Sequence, residues 1–366
     1  MEFKKYKMED IATFSQGKQV EIENQYTGQK ENMKRFLRII DFTNPNEPIR
    51  YVEDFGDRYY VTKDDLVMIR YGSQTCGKVV IGKEGIIANN MFKINLDNST
   101  VLNRYAYYYL KQDIVYNYLR GSQNSSTMPS INFGILNKLE IEVPSIDNQK
   151  KIIKILNDID QKIELNNEIN NNLYEETVVL YKAKFAGVEQ GNKTVGEYII
   201  PKRGKNLLTR DAIEGSIPVV AGGIEPSAYH NQFNTHSPVI TISASGANAG
   251  YTNLWSTPIW ASDCSYIDDS VTENVYFWYV VLKTRQKEIF DAQTGSAQAH
   301  IYPRHIADMP IAELNIDEVR NYNVLVEPLF KKIGENKKEN EQLSQLRDTL
   351  LPKLMNGEVD LDNIEV

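Results

Sequence analysis

A chain of 366 residues with 41% hydrophobic residues, two cysteines and a formal charge of −8 has room for two or three domains, each with its own core. Cys76 and Cys264 stand far apart and outside any CxxC or Cys/His cluster, which argues against a disulfide framework and structural zinc. No stretch nears the roughly 18 apolar residues needed to span a bilayer, and residues 1–7 lack the apolar core of a signal peptide, so a soluble cytoplasmic chain with no membrane partner is expected.

The first globular stretch, residues 1–144, alternates short β-branched and aromatic runs with Gly, Asn and Asp. Tyr59-Tyr60-Val61, Leu66-Val67-Met68-Ile69, Val79-Val80-Ile81 and Leu139 to Val143 read as strands, the last closed by Pro144. A single helix is expected over residues 103–119, where Ala106, Leu110, Ile114 and Tyr118 recur at spacing four. Residues 145–187 form one long helix, with Asp147 as N-cap and Gly187 as its stop. Its seam of Ile152, Leu156, Ile159, Ile163, Asn166, Asn170, Leu173, Thr177 and Leu180 follows alternating four-three spacing.

The second globular stretch, residues 188–311, repeats the plan. Strands are expected at Val219-Val220, Val239 to Ile242 and Ile259-Trp260, with a helix over residues 273–290. Residues 312–366 hold a second long helix, in which Pro328 and Pro352 should break or restart the turn. Adding 170 to Ile163, Asn166, Asn170, Leu173, Leu180 and Gly187 gives Ile333, Asn336, Asn340, Leu343, Leu350 and Gly357, the same residue type each time. Internal repetition on this scale implies two copies of one α+β unit, each trailed by a helix. Antiparallel pairing of the helices would set Asn166 against Asn340 and Asn170 against Asn336, with a pseudo-twofold axis between them. Buried asparagine selects one register because only one alignment pairs the amides.

Catalytic signatures are lacking. Gly72 to Val79 misses the phosphate-loop pattern by one residue, because Val79 has no hydroxyl for magnesium and Lys78 runs into a strand rather than a helix. His230, His236, His300 and His305 match no metal motif and read as surface or loop residues. No GxSxG elbow, GxGxxG loop or amino-methyltransferase tetrapeptide appears, so a non-catalytic chain without cofactor or metal of its own is expected.

Val143-Pro144-Ser145 with Gln149-Lys150-Lys151-Ile152, Ile155-Leu156 and Ile159 to Ile163 resembles the helix of type I restriction-modification specificity subunits. So does Leu346 to Glu358 near the C-terminus, whereas Leu314-Asn315-Ile316-Asp317 departs from the usual spacer pattern of a proline followed by a glutamine. The resemblance covers the whole chain: target-recognition domain, helix, second target-recognition domain, helix. It implies double-stranded DNA as ligand, each recognition domain reading half of a bipartite site, and antiparallel helices that set the gap and dock two modification subunits. S-adenosylmethionine, ATP and Mg would reside on those subunits and on the restriction subunits.

Glycine-rich loops with nearby polar residues would meet phosphates and base edges. The candidates are Lys18, Arg38, Ser73, Lys78 and Asn124 in the first unit, and Lys205, Ser245, Asn248, Gln298 and Arg304 in the second. Helix pairing is assigned to Ile163, Asn166, Asn170 and Leu173 against Ile333, Asn336, Asn340 and Leu343. The competing reading is a coiled-coil scaffold carrying two protein- or carbohydrate-binding modules, with tyrosines as platforms.

Overall fold

The computed structural model describes residues 1–44, 47–121, 130–295 and 298–362. Its contacts separate two units, Met1–Gln161 with Leu343–Val366 and Lys162–Gln342, so each long helix contributes to both.

In the first unit β1 (Lys4–Lys7) and α1 (Met8–Ile11) lead into β2 (Ala12–Gln16), β3 (Met33–Leu37), α2 (Ile40–Thr43), β4 (Arg50–Glu53), β5 (Tyr60–Val61), β6 (Leu66–Ile69), β7 (Val79–Ile81), β8 (Gly85–Ile87) and β9 (Met91–Leu96). Then come α3 (Asn103–Lys111), α4 (Asp113–Gly121), α5 (Phe133–Asn137), β10 (Glu140–Val143) and the first long helix, α6 (Ile146–Lys184). One sheet runs β2-β9-β6-β7, a second β4-β3-β8-β5 with β3 and β8 parallel, and β1 pairs with β10. Continuous apolar runs such as Leu66-Val67-Met68-Ile69 are buried on both faces, as a strand between two packed layers must be.

The second unit repeats this order. It comprises β11 (Lys193–Thr194), β12 (Lys202–Arg203), β13 (Ile217–Val220), β14 (Ala228–His230), β15 (Val239–Ser243), β16 (Thr252–Trp255), β17 (Trp260–Ala261), β18 (Cys264–Ile267), α7 (Val275–Thr284), α8 (Gln286–Asp291), α9 (Pro303–Ala307), β19 (Pro310–Ile311) and the second long helix, α10 (Ile316–Met355). The sheet β12-β18-β15-β16 matches β2-β9-β6-β7 strand for strand. The sheet β14-β13-β17 matches β4-β3-β8, with β13 and β17 again parallel, and β11 pairs with β19 as β1 does with β10. The fold is α+β in both copies.

Two expectations for the short helices fail in the same way. The helix expected over 103–119 breaks at Gln112, and the one expected over 273–290 breaks at Arg285. After the first break the buried positions become Val115 and Leu119, leaving Ile114 and Tyr118 exposed, because the break turns the apolar stripe out of phase. At the second, Arg285 is buried and needs a carboxylate and a carbonyl. Its guanidinium bonds Glu288 at 2.7 Å and Pro310 O at 2.8 Å at the point where the helix breaks.

Within the first unit, Ile152 and Leu156 of α6 share a core with Leu351 and Leu354 of α10. Beside them Arg347 Nη1 lies 3.0 Å from Asp160 Oδ1, and the other Asp160 oxygen accepts the Tyr108 hydroxyl at 2.9 Å. Gln149 at the head of α6 is fully buried. It accepts from the Leu102 amide ahead of α3 and donates to the Thr100 and Pro144 carbonyls. In the second unit Asn323 of α10 performs the same task on α7, accepting from the Tyr276 and Phe277 amides. The missing spacer glutamine is thus replaced functionally, further along its helix.

Within the second unit the seam is polar. Asn166 donates to Asn340 and Asn336 donates to Asn170, each at 2.9 Å. Asn340 in turn donates to Asn167, while Lys162 pairs with Glu339 at 3.4 Å. Residue numbers rise on one helix as they fall on the other, so the two helices are antiparallel. Ile333 is buried, and Ile163, Leu173 and Leu343 are half-buried.

The prolines do not break α10. Pro328 and Pro352 are both exposed, so the carbonyls their missing amides leave free, at Val324 and Asp348, turn towards water, while buried Tyr322, Val326, Phe330 and Leu351 hold the flanking turns.

Candidate nucleic-acid interface

The sequence puts glycine followed by lysine directly after β2 and directly after β12, and the fold gives both pairs the same seat. Gly17 N donates to Met91 O and Lys18 N to Ile87 O; Gly204 N donates to Cys264 O and Lys205 N to Ala261 O, all within 2.8 to 3.0 Å. A Cβ at Gly17 would enter the carbonyls of Ile87 and Ala88, and one at Gly204 those of Ala261 and Ser262. Only glycine lets the strand ends cross so closely. The lysine that follows is then aimed by aromatic rings. The Lys18 ammonium sits 4.8 Å from the Phe55 ring centre and 5.5 Å from that of Tyr59. Lys205 lies 5.9 Å from the Trp260 ring, whose indole N–H donates to the Lys205 carbonyl at 2.9 Å.

Around Lys18 the turn between β8 and β9 gathers polar groups. Asn89 N donates to Lys18 O, and Asn89 Nδ2 donates to Gln19 Oε1. The Asn90 carbonyl receives Arg70 N at 2.8 Å, tying this turn to the β6–β7 loop. Gly72 and Gly77 in that loop both take positive φ. Arg70 lies over the Tyr71 ring at 4.9 Å. Its Nε and the Asn90 Oδ1 are buried with no hydrogen-bond partner among the described residues, an arrangement that costs about 1–3 kcal/mol per group.

Ser73 and Lys78 are exposed on the same loop, and the Ser73 carbonyl accepts from Arg120 at 2.9 Å. Arg38 is placed differently. It bonds buried Asp41 at 2.9 Å, Glu47 at 3.1 Å and the Pro48 carbonyl at 3.0 Å, so its charge serves the fold locally. Asn124 lies outside the described residues.

The second unit brings its candidates together more tightly. Asp263 joins Arg203, 2.6 Å away, to the Ser245 hydroxyl. The Gly222 carbonyl accepts from Ser243 Oγ at 2.8 Å, and a Cβ at Gly222 would lie 2.8 Å from the Ser245 carbonyl. Asn248 completes the Gly246–Asn248 turn. Across from it, Ser245 pairs with His300, whose ring stacks on Tyr302 at 6.0 Å and meets the Gln298 carbonyl at 2.8 Å. Arg304 lies over the same Tyr302 ring at 5.8 Å. Lys205, Ser245, Asn248, Gln298 and Arg304 thus belong to one connected set of loops.

Residue pattern alone does not single out Arg70, Asn89, Asn90, Trp260 or Asp263. The signal lies in the Gly-Lys pairs, which are 187 residues apart (204 − 17) and so fall out of step with the 170-residue helix register. The histidines also need correction. His230 is buried, with Nδ1 on the Ile213 amide at 3.0 Å, because it ends strand β14 against the Trp260 ring.

His236, Asp268 and Asp269 form the one group with metal-like spacing among the described residues. Its acceptors are already engaged. Asp268 takes the His236 and Ser270 amides, and Asp269 takes the His236 ring, which raises the imidazole pKa.

Residues 1–175 match the family model described as the type I restriction modification DNA specificity domain. The MjaIX type I restriction enzyme specificity subunit of Methanocaldococcus jannaschii is 26% identical over 79% of this chain and 76% of its own. A putative type I specificity subunit of Mycoplasma genitalium is 24% identical over 81% and 82%. The crystal structure of the type I restriction-modification system S subunit from M. genitalium superposes with a TM-score of 0.53 at 21% identity, covering 96% of each chain, a likeness of fold. With both halves carrying one topology and relatives matching along most of its length, this chain is similar to the specificity subunits of type I restriction-modification systems, and its residues 1–175 to their DNA specificity domain.

Proposed function

We propose that this protein reads a bipartite DNA site, one half with each recognition fold, and that its paired helices set the unread gap and dock two modification subunits that methylate adenine. The observation that carries this reading is the duplicated Gly-Lys seat: two folds of one topology each aim a lysine from the same strand crossing, beside a glycine-rich loop. Lysine and arginine in such loops neutralise phosphates, while Asn, Gln, Ser and Asp can address base edges. Asp263 favours base contact in the second fold, since a carboxylate repels phosphate but accepts from a cytosine amino group.

No helix among the described residues is long and apolar enough to cross a membrane, which is compatible with work on cytoplasmic DNA. The specificity subunit is the non-catalytic part of its complex, so S-adenosylmethionine, ATP and Mg are assigned to the modification and restriction subunits.

Mapping methylated adenines in cells that express this chain with its modification partner tests the reading. The expected result is one asymmetric, two-part motif that vanishes when the chain is deleted. A contiguous motif, or methylation that ignores the deletion, overturns it.

A further inference from the structure

The second unit contains a cavity of about 250 Å³ between β16, α7 and the two long helices. Its walls are polar and aromatic, with Tyr174, Tyr251, Asn253 and Phe330 among them, and two lysines line it, Lys283 from α7 and Lys337 from α10. The Lys283 ammonium lies 4.3 Å from the centre of the Tyr251 ring and gives one proton to the Thr252 carbonyl at 2.8 Å. An ammonium has three donors, so two stay free for the cavity. Among the described residues neither lysine has a carboxylate within ion-pair distance. Glu225 and Glu341 act on Lys337 only from further away.

Two cations face one small space with no carboxylate in contact, although Glu225 acts from a distance on both Lys337 and Tyr251. Burial, reinforced by Lys337, lowers the Lys283 pKa to about 8. Lys337 is exposed along its side chain, yet the protein crowded around its ammonium group also holds its pKa below the ordinary lysine value. Such a pair costs free energy that an anion would relieve.

We propose that this cavity binds a phosphate-type oxyanion between Lys283 and Lys337, with Asn253 within reach as a further donor. Bound there, the ion ties α7 of the recognition fold to α10, so occupancy stiffens the join between the second fold and its helix. The observation is independent of the DNA-reading loops.

Thermal unfolding of the full chain, with inorganic phosphate, with adenosine 5′-monophosphate and with chloride at equal ionic strength, tests it. The expected result is a rise of about 2–4 °C over chloride near saturation, reduced by more than half in Lys283→Met and in Lys337→Met. A larger rise with the nucleotide identifies it as the source of the phosphate and the aromatic wall as the seat of its base. A rise with phosphate alone identifies the free ion. No rise over chloride with either ligand, or an equal rise in both variants, overturns the proposal. Should a variant fail to fold, the wild-type protein decides through ε-13C lysine NMR: phosphate should shift the Lys283 titration to higher pH, and a midpoint that stays put overturns the proposal.

Discussion

Gly17 and Gly204 occupy their positions for want of space, and the cost of filling it can be measured. Alanine at Gly17 drives its methyl group into the Ile87 and Ala88 carbonyls, so the strand crossing must open at a cost of about 1–3 kcal/mol. Urea unfolding followed by hydrogen exchange should show Gly17→Ala loosening the β2 and β8 amides while leaving those of β12 and β17 unchanged. Gly204→Ala should do the reverse. The lysines that follow answer a different measurement. Each of Lys18→Ala and Lys205→Ala should flatten the salt dependence of DNA binding by about 0.9 in log–log slope for every phosphate that is no longer neutralised. Arg38→Ala should leave that slope unaltered, because Arg38 is committed to Asp41 and Glu47; a slope change equal to that of Lys18→Ala would return Arg38 to the DNA surface. Lys283 gives a pH signature. Its folded pKa, about 8, lies below the ordinary lysine value of 10.5, so between these values the unfolded chain binds more protons and stability rises with pH. Above pH 10 buried tyrosines such as Tyr279, whose pKa burial raises, favour unfolding as they ionise. The urea midpoint of the second unit should therefore climb from pH 8 to pH 9, below the range where the buried Cys264 thiol opposes it, and climb less in Lys283→Met, where Lys337 alone still gains.

At the scale of elements, the asparagine pairs trade stability for register. Asn336→Leu alone strands the Asn170 amide in a buried setting, a loss of about 1–3 kcal/mol, whereas Asn170→Leu with Asn336→Leu should be near neutral. The double variant should also lose its unique alignment. Cysteine pairs placed along the helices, with cross-linking yields compared between variants, would show alternative registers; a single retained register would mean that the flanking core sets it unaided. These helices were legible in the sequence because a four-three repeat states both the helix and its inward face. Strands such as β6 and β15 were legible because β-branched runs are bounded by glycine and polar turns. The broken helices α3–α4 and α7–α8 were not, since the breaks answer to tertiary demands, as the partners of Arg285 show. Continuity through Pro328 was equally hidden, because it depends on that proline facing water. The interface loops were legible only as glycine-rich segments. Which residues meet there, such as Asp263 with Ser245 and Arg203, follows from strand order rather than spacing along the chain.

For the whole molecule, the proposed gap-setting role turns on how the long helices pass from one unit to the other. Each leaves one set of contacts and joins another near residues 161–162 and 342–343. Lengthening α6 at its end would fail as a test, because Tyr181 and Phe185 are buried in the core of the second unit. Matched insertions at 161–162 and 342–343 avoid that core. Seven residues in each helix keep the four-three seam in phase, since the supercoiled repeat closes every heptad, and add about 10 Å at 1.5 Å per residue. With base pairs spaced at about 3.4 Å along duplex DNA, the methylated motif should keep both half-sites and gain roughly three base pairs of gap. Insertion of seven residues in one helix alone should instead abolish methylation, because the asparagine pairs of the second unit and the first unit's contacts of Asp160 with Arg347 and of Ile152 and Leu156 with Leu351 and Leu354 can then no longer align together. A matched double insertion that methylates with the original gap would show that the helices do not measure it, and the ruler would then have to be sought in the partner subunits.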